Sequence, residues 1–237
     1  RDRRETISLD ADTHAAVGSV QAARLAAGAA CQAVEGCIDG IFFNQGHVCC
    51  AGSRLLLEAS IADDFLARLK RRIETLRIGD PMDKNTDIGA INSAAQLETI
   101  ERYIQIGQDE GAELWQGAAC PTPTKGYFCP PTLLTGAEQS HTVVREEIFG
   151  PVLSVLTFRT PAEAIQKAND SEYGLAAGVW TEKTSKLFNT AHSLNAGVVW
   201  ANGYNLFDPA SPFGGIRHSG FGREGGVAGL WPYVEVT

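Results

Sequence analysis

The run Ile41-Phe42-Phe43-Asn44-Gln45-Gly46-His47-Val48-Cys49-Cys50-Ala51-Gly52-Ser53-Arg54 constrains this chain more than any other stretch. An apolar segment stops at a glycine, a cysteine pair follows, and a second glycine precedes Arg54 and the triplet Leu55-Leu56-Leu57. That order predicts a buried helix, a tight turn that presents a thiol, and a short buried strand. Three further short apolar runs with β-branched residues occur at 151–158, 175–180 and 197–201. Continuous apolar strands alternating with helices predict an α/β fold, a layered parallel sheet flanked by helices on both faces.

The helices are legible from spacing. Ile61, Phe65, Leu69, Ile73 and Leu76 fall on one stripe, with Ser60 as a candidate N-cap and Gly79-Asp80-Pro81 as the stop. Ser93-Ala94-Ala95-Gln96 has the form of a capping box and opens a helix carrying Leu97, Ile100 and Ile104. Segments 161–168 and 183–194 predict two more helices. The alanine-rich stretch 10–45 reads as helix with Asp10 or Asp12 as its cap. Residues 116–126 predict a surface loop. The Gly/Pro-rich stretch 202–223 is long for a mere connection and predicts a functional loop.

A thiol on a turn is well placed to act as a nucleophile, because it reacts as the thiolate and turn N–H groups stabilise negative charge. A cysteine can equally fill a core as a small, weakly polar side chain. The run alone leaves both readings of Cys49 open. The six cysteines, at 31, 37, 49, 50, 120 and 129, form no CxxC pair and no zinc spacing, so no metal site is expected. A chain of 237 residues with 44% hydrophobic content can bury a core without disulfide staples. Reduced thiols in a cytoplasmic or organelle-matrix compartment are the expectation. A net charge of −8 argues against nucleic acid as a partner, and no apolar run approaches the ~20 residues that span a bilayer.

The cysteine segment resembles that of the aldehyde dehydrogenase superfamily, and two more signatures accompany it. Glu146-Glu147-Ile148-Phe149-Gly150-Pro151-Val152 resembles the second, and Ser211-Pro212-Phe213-Gly214-Gly215 with Ser219-Gly220-Phe221-Gly222-Arg223-Glu224 resembles the third. The three stand in the family's order and cover positions 36 to 237. The resemblance implies a catalytic domain at 36–237, preceded by a poorly matching, helical segment at 1–35.

By this resemblance Cys49 is the nucleophile, its N–H helps hold the oxyanion, and Cys50 faces away. Glu147 would accept from ribose hydroxyls of NAD or NADP, Phe149 would pack on the same end of the cofactor, and Gln96 matches a position that can touch it. Gln96 is explained equally well by the capping box. Phe207, Asn205 and Phe213, with Tyr204, belong to the loop that lines the aldehyde pocket. His47 stands where the family usually has Gln or Glu, which leaves a Cys–His pair as a rival reading. The activity implied is oxidation of an aldehyde to an acid with NAD or NADP. The family's Gly-rich phosphate site, oxyanion Asn and general-base Glu have no counterpart in this sequence. The chain therefore resembles the catalytic half alone, expected to act as a homo-oligomer or beside a subunit carrying the cofactor domain. The alternatives are a non-catalytic assembly domain and a cysteine acyl hydrolase.

Overall fold

The computed structural model describes the backbone of Ile7–Ser8 and His14–Ala15 and the residues from 31 to 235. Strand β1 (Ile7–Ser8) pairs antiparallel with β2 (His14–Ala15), and helix α1 covers 31–41. The helix expected over 10–45 is thus narrower, and segment 1–35 contains extended backbone as well as helix. Asp10 and Asp12, the proposed caps, lie outside the described residues.

The larger sheet has the order β3-β6-β5-β4, built from β3 (Arg54–Glu58), β4 (Glu113–Gln116), β5 (Thr132–Thr135) and β6 (Val152–Phe158). β3 and β5 run parallel to the central β6, with Leu55 opposite Val155 and Leu133 opposite Leu153. β4 is the exception, an antiparallel edge in which Trp115 lies opposite Leu133. Its mostly exposed residues carry no apolar run, so the sequence gives it little signal. β7 (Ala176–Val179) and β8 (Val198–Ala201) form a second, parallel pair.

Side chains alternate across a strand, and here successive residues enter different cores. Leu133, Leu153 and Val155 pack with Val34, Ile38 and Ile41 of α1 and with Phe65, Leu69 and Ile73 of α2 (Ala62–Ile73). Leu134, Val152 and Leu156 pack with Ile100 and Ile104 of α3 (Ala94–Asp109) and Val143 and Val144 of α4 (Thr142–Arg145). The sheet is therefore covered on both faces, as its apolar strands require. α5 (Pro161–Asn169) and α6 (Thr184–Ser193) complete the fold, α5 capped by Thr160 with Pro161 in its first turn.

Two helix boundaries differ from expectation. α2 begins at Ala62 without a side-chain cap, because the Ser60 hydroxyl donates to Glu58 instead. It also ends at Ile73, although Leu76 and Ile78 remain buried beyond it. Apolar burial continues past the helix, which is why periodicity alone places its end too late.

Candidate active site

Between α1 and β3 the chain makes an unusual descent. Asn44 and Gln45 both adopt left-handed backbone, with φ of 49° and 57°, and Gly46 follows at 74°. A Cβ on Gly46 would collide with the Gly150 carbonyl, so this loop and the turn before β6 meet at a spot where only glycine fits. The Ala51 N–H then donates to the Val48 carbonyl at 3.0 Å, closing a turn with Cys49 and Cys50 at its two centre positions. Gly52 N–H ties the exit back to Gly40 at 2.7 Å.

The two cysteines diverge. Cys49 is exposed and Cys50 is buried. The Cys50 thiol donates to Asn205 Oδ1 at 3.4 Å, and burial, reinforced by the neighbouring Cys49, pushes its pKa up. The Tyr204 hydroxyl donates to the Cys50 carbonyl at 2.7 Å. Asn205 also donates to the Asp39 carbonyl, at 3.3 Å. Adjacent residues of the 202–213 loop therefore hold the cysteine turn from beneath.

The second signature comes up beside it. Phe149 has φ 56°, a strained conformation for a bulky residue that persists only where neighbours impose it. Two side chains do so. His47 Nδ1 lies 2.8 Å from the Phe149 carbonyl, and Gln96 Nε2 donates to the carbonyls of Ile148 and Phe149 at 3.0 and 3.1 Å. The Ser93 hydroxyl does cap α3, accepting from Gln96 N–H at 3.2 Å. Only half of the capping box forms, since the Gln96 side chain reaches the Phe149 turn instead of returning to Ser93.

Cys49, Glu147 and Phe149 line one open cleft of about 1000 Å³ that extends between β3 and β7. Glu147 and Phe149 are both exposed there. Glu146 borders the same cleft, but its carboxylate is engaged, accepting from the Tyr103 hydroxyl at 2.7 Å. Phe207 and Phe213 do not line this cleft. They stack edge to face at 5.1 Å, and Phe207 meets the Trp200 ring at 5.3 Å. Gln96 and Asn205 are likewise engaged with the backbone and thiol that frame the site. Arg54 donates to the carbonyls of Lys167 and Ala168 at 3.3 and 2.9 Å, a structural role at the end of α5. Tyr204 carries the hydrogen bond to the cysteine turn, yet its sequence signal, one aromatic in a Gly/Pro-rich loop, speaks only of a pocket lining.

Residues 11–237 match the model of the aldehyde dehydrogenase family. The chain belongs to the aldehyde dehydrogenase family. It is 46% identical over 205 residues to DhaS of Bacillus subtilis, whose name assigns it to the aldehyde dehydrogenases, covering 86% of this chain and 41% of that one. Among solved structures, the aldehyde dehydrogenase KauB of Pseudomonas aeruginosa superposes with a TM-score of 0.83 at 43% identity, covering 87% of this chain and 42% of that chain. The betaine aldehyde dehydrogenase of Staphylococcus aureus in complex with NAD+ gives a TM-score of 0.83 at 38% identity, covering 86% and 41%. The chain thus spans about two fifths of the length of the relatives it matches. Among its described residues no helix is long and apolar enough to cross a membrane, and no group of three or more acidic, His or Cys residues could hold a metal.

Proposed function

We propose that this chain supplies the thiol-bearing half of an aldehyde-oxidising enzyme that uses NAD or NADP, with Cys49 as the nucleophile. The observation that carries this reading is the exposure of Cys49 at the centre of a hydrogen-bonded turn, in the same cleft as Glu147 and Phe149. The Cys49 thiolate would add to the aldehyde carbonyl carbon. The Cys49 N–H, which donates to no group among the described residues, would receive the oxygen that becomes negative. The thiohemiacetal so formed would become a thioester only by giving up its hydride, which a bound nicotinamide would accept, and water would then hydrolyse that thioester, freeing the acid and returning the thiol.

The donor set fits the nicotinamide end of a dinucleotide. The exposed Glu147 carboxylate is an acceptor for two vicinal hydroxyls, and the exposed Phe149 ring offers an apolar face beside it. When bound, such a cofactor supplies the hydride acceptor that the chain's own side chains lack. Gln96 would act by fixing the Phe149 turn rather than by reaching the cofactor itself. The Trp200, Phe207 and Phe213 cluster would wall the aldehyde approach in an assembled enzyme, and the Asn205 side chain would support the cysteine turn behind it.

A homo-oligomeric assembly, or one with a subunit bearing the cofactor domain, accords with the apolar C-terminal surface. Phe221, Leu230, Trp231 and Tyr233 are all largely exposed there. Six free thiols accord with a reducing compartment. In a protein that holds this chain with a cofactor domain, Cys49→Ser should abolish aldehyde oxidation, and Glu147→Gln should raise KM for the cofactor with less effect on aldehyde KM. Retained oxidation in Cys49→Ser would overturn the reading.

A further inference from the structure

We propose that His47 is the positioning residue of this site, acting as its neutral Nδ1–H tautomer to fasten the nucleophile loop to the Phe149 turn. This rests on the reading of Cys49 as the nucleophile. Both ring nitrogens are committed, and their partners fix the proton. A carbonyl only accepts, so Nδ1, 2.8 Å from the Phe149 carbonyl, must carry the hydrogen. A backbone amide only donates, so Nε2, which lies 3.4 Å from Asn92 N–H, must present its lone pair. The imidazole also stacks on the Phe149 ring, with centroids 5.8 Å apart and planes 19° from parallel. One side chain therefore joins three segments: the loop leading to Cys49, the bend at Asn92 just ahead of α3, and the left-handed Phe149.

The same wiring removes His47 as a base for Cys49. A general base needs a free lone pair within hydrogen-bond reach of the thiol, and the only lone pair here is held by Asn92. The positional role is also the one the strain calls for. Phe149 at positive φ needs its carbonyl fixed, and His47 and Gln96 bond that carbonyl from two different elements. Losing His47 would leave Gln96 as the sole side chain on it among the described residues and would free the loop on which Cys49 sits.

The test is long-range nitrogen–proton NMR of the histidine rings in the native chain. His47 is assigned by its contacts to the Phe149 ring protons. A protonated Nδ1 with a bare Nε2 at neutral or alkaline pH is the expected result, and the Nε2–H form, which dominates for free imidazole side chains, would overturn the proposal. A rescue series supplies the functional readout, using acylation of Cys49 by p-nitrophenyl acetate followed by peptide mass mapping. His47→Ala should slow acylation roughly tenfold, the scale of one or two lost hydrogen bonds. His47→Asn places an amide donor where Nδ1 stood and should recover most of that loss, although Asn cannot act as a base. Asn as poor as Ala would overturn positioning in favour of proton transfer. Acylation of a cysteine other than Cys49 in the native chain would instead defeat the assignment of the nucleophile, and the ring tautomer would still decide the role of His47.

Discussion

The Tyr204 hydroxyl and the Cys50 carbonyl, 154 residues apart in sequence, are joined by a hydrogen bond of 2.7 Å. Tyr204 is packed between the Trp180 and Trp200 rings and rests beside Gly52 and against Gly40, where a side chain would crowd it. Burial also pushes its phenol pKa well up, so the hydroxyl stays a donor throughout the working pH range. Tyr204→Phe keeps the packing and deletes only the donor, stranding a half-buried carbonyl. It should cost about 1–3 kcal/mol in urea unfolding and slow Cys49 acylation. An unchanged acylation rate would show that the turn holds its shape without this bond.

Gly46 makes a sharper prediction. Its φ of 74° is strained for any side chain, and a Cβ would meet the Gly150 carbonyl. Gly46→Ala should therefore push the Cys49 loop away from the Phe149 turn, at a cost of at least ~1–3 kcal/mol. Thermal unfolding together with the Phe149 ring shifts in NMR would read both effects. A stable variant with unmoved Phe149 signals would contradict the close approach.

Arg54 is a test of structure rather than chemistry. Its guanidinium donates to two carbonyls at the end of α5, where a helix leaves acceptors unpaired and negative potential gathers. Arg54→Met should destabilise by ~1–3 kcal/mol, since two acceptors lose partners. Arg54→Lys should recover little, because an ammonium does not match the forked geometry. Full recovery in Lys, measured by the urea midpoint, would mean that charge alone matters.

Cys129 predicts how the fold responds to alkali. It is buried, and burial pushes its pKa from 9.0 to about 12. The folded state thus holds the proton more tightly than the unfolded chain. Its contribution is complete below pH 9 and is lost as pH rises from 9 through about 12. Three pH units correspond to an order of 4 kcal/mol at most. Cys129→Val removes the titration, so its stability should fall less steeply than that of the native chain across this window. Parallel pH profiles would contradict the assignment.

Much of this was legible in the sequence because the signals were periodic or local. Strands β3, β6, β7 and β8 are continuous apolar runs, and the stripe Phe65, Leu69 and Ile73 gave α2 its buried face. The exposed edge β4 carries neither signal, and one of its few anchors, Lys70 over the Trp115 ring at 5.6 Å, is a contact between distant segments. At the site, Cys49, Glu147 and Phe149 were readable as a set because each sits in a compact motif. The wiring around them was not. That Gln96 turns from its cap to the Phe149 turn, that His47 spends both nitrogens on backbone, and that Asn205 binds the Cys50 thiol all depend on how loops converge in space.

Acylation stoichiometry decides whether Cys49 is the reactive thiol. The purified chain is mixed with excess p-nitrophenyl acetate, nitrophenolate release is followed in time, and the acylated residue is located by peptide mass mapping. A burst of about one equivalent on Cys49 followed by slow turnover is expected, since the thiol is presented but no general base contacts it among the described residues. The buried Cys50 and Cys129 and the half-buried Cys37, all with raised pKa values, should stay unlabelled at neutral pH. Labelling first at Cys31 or Cys120, or rapid sustained turnover without a burst, would contradict it.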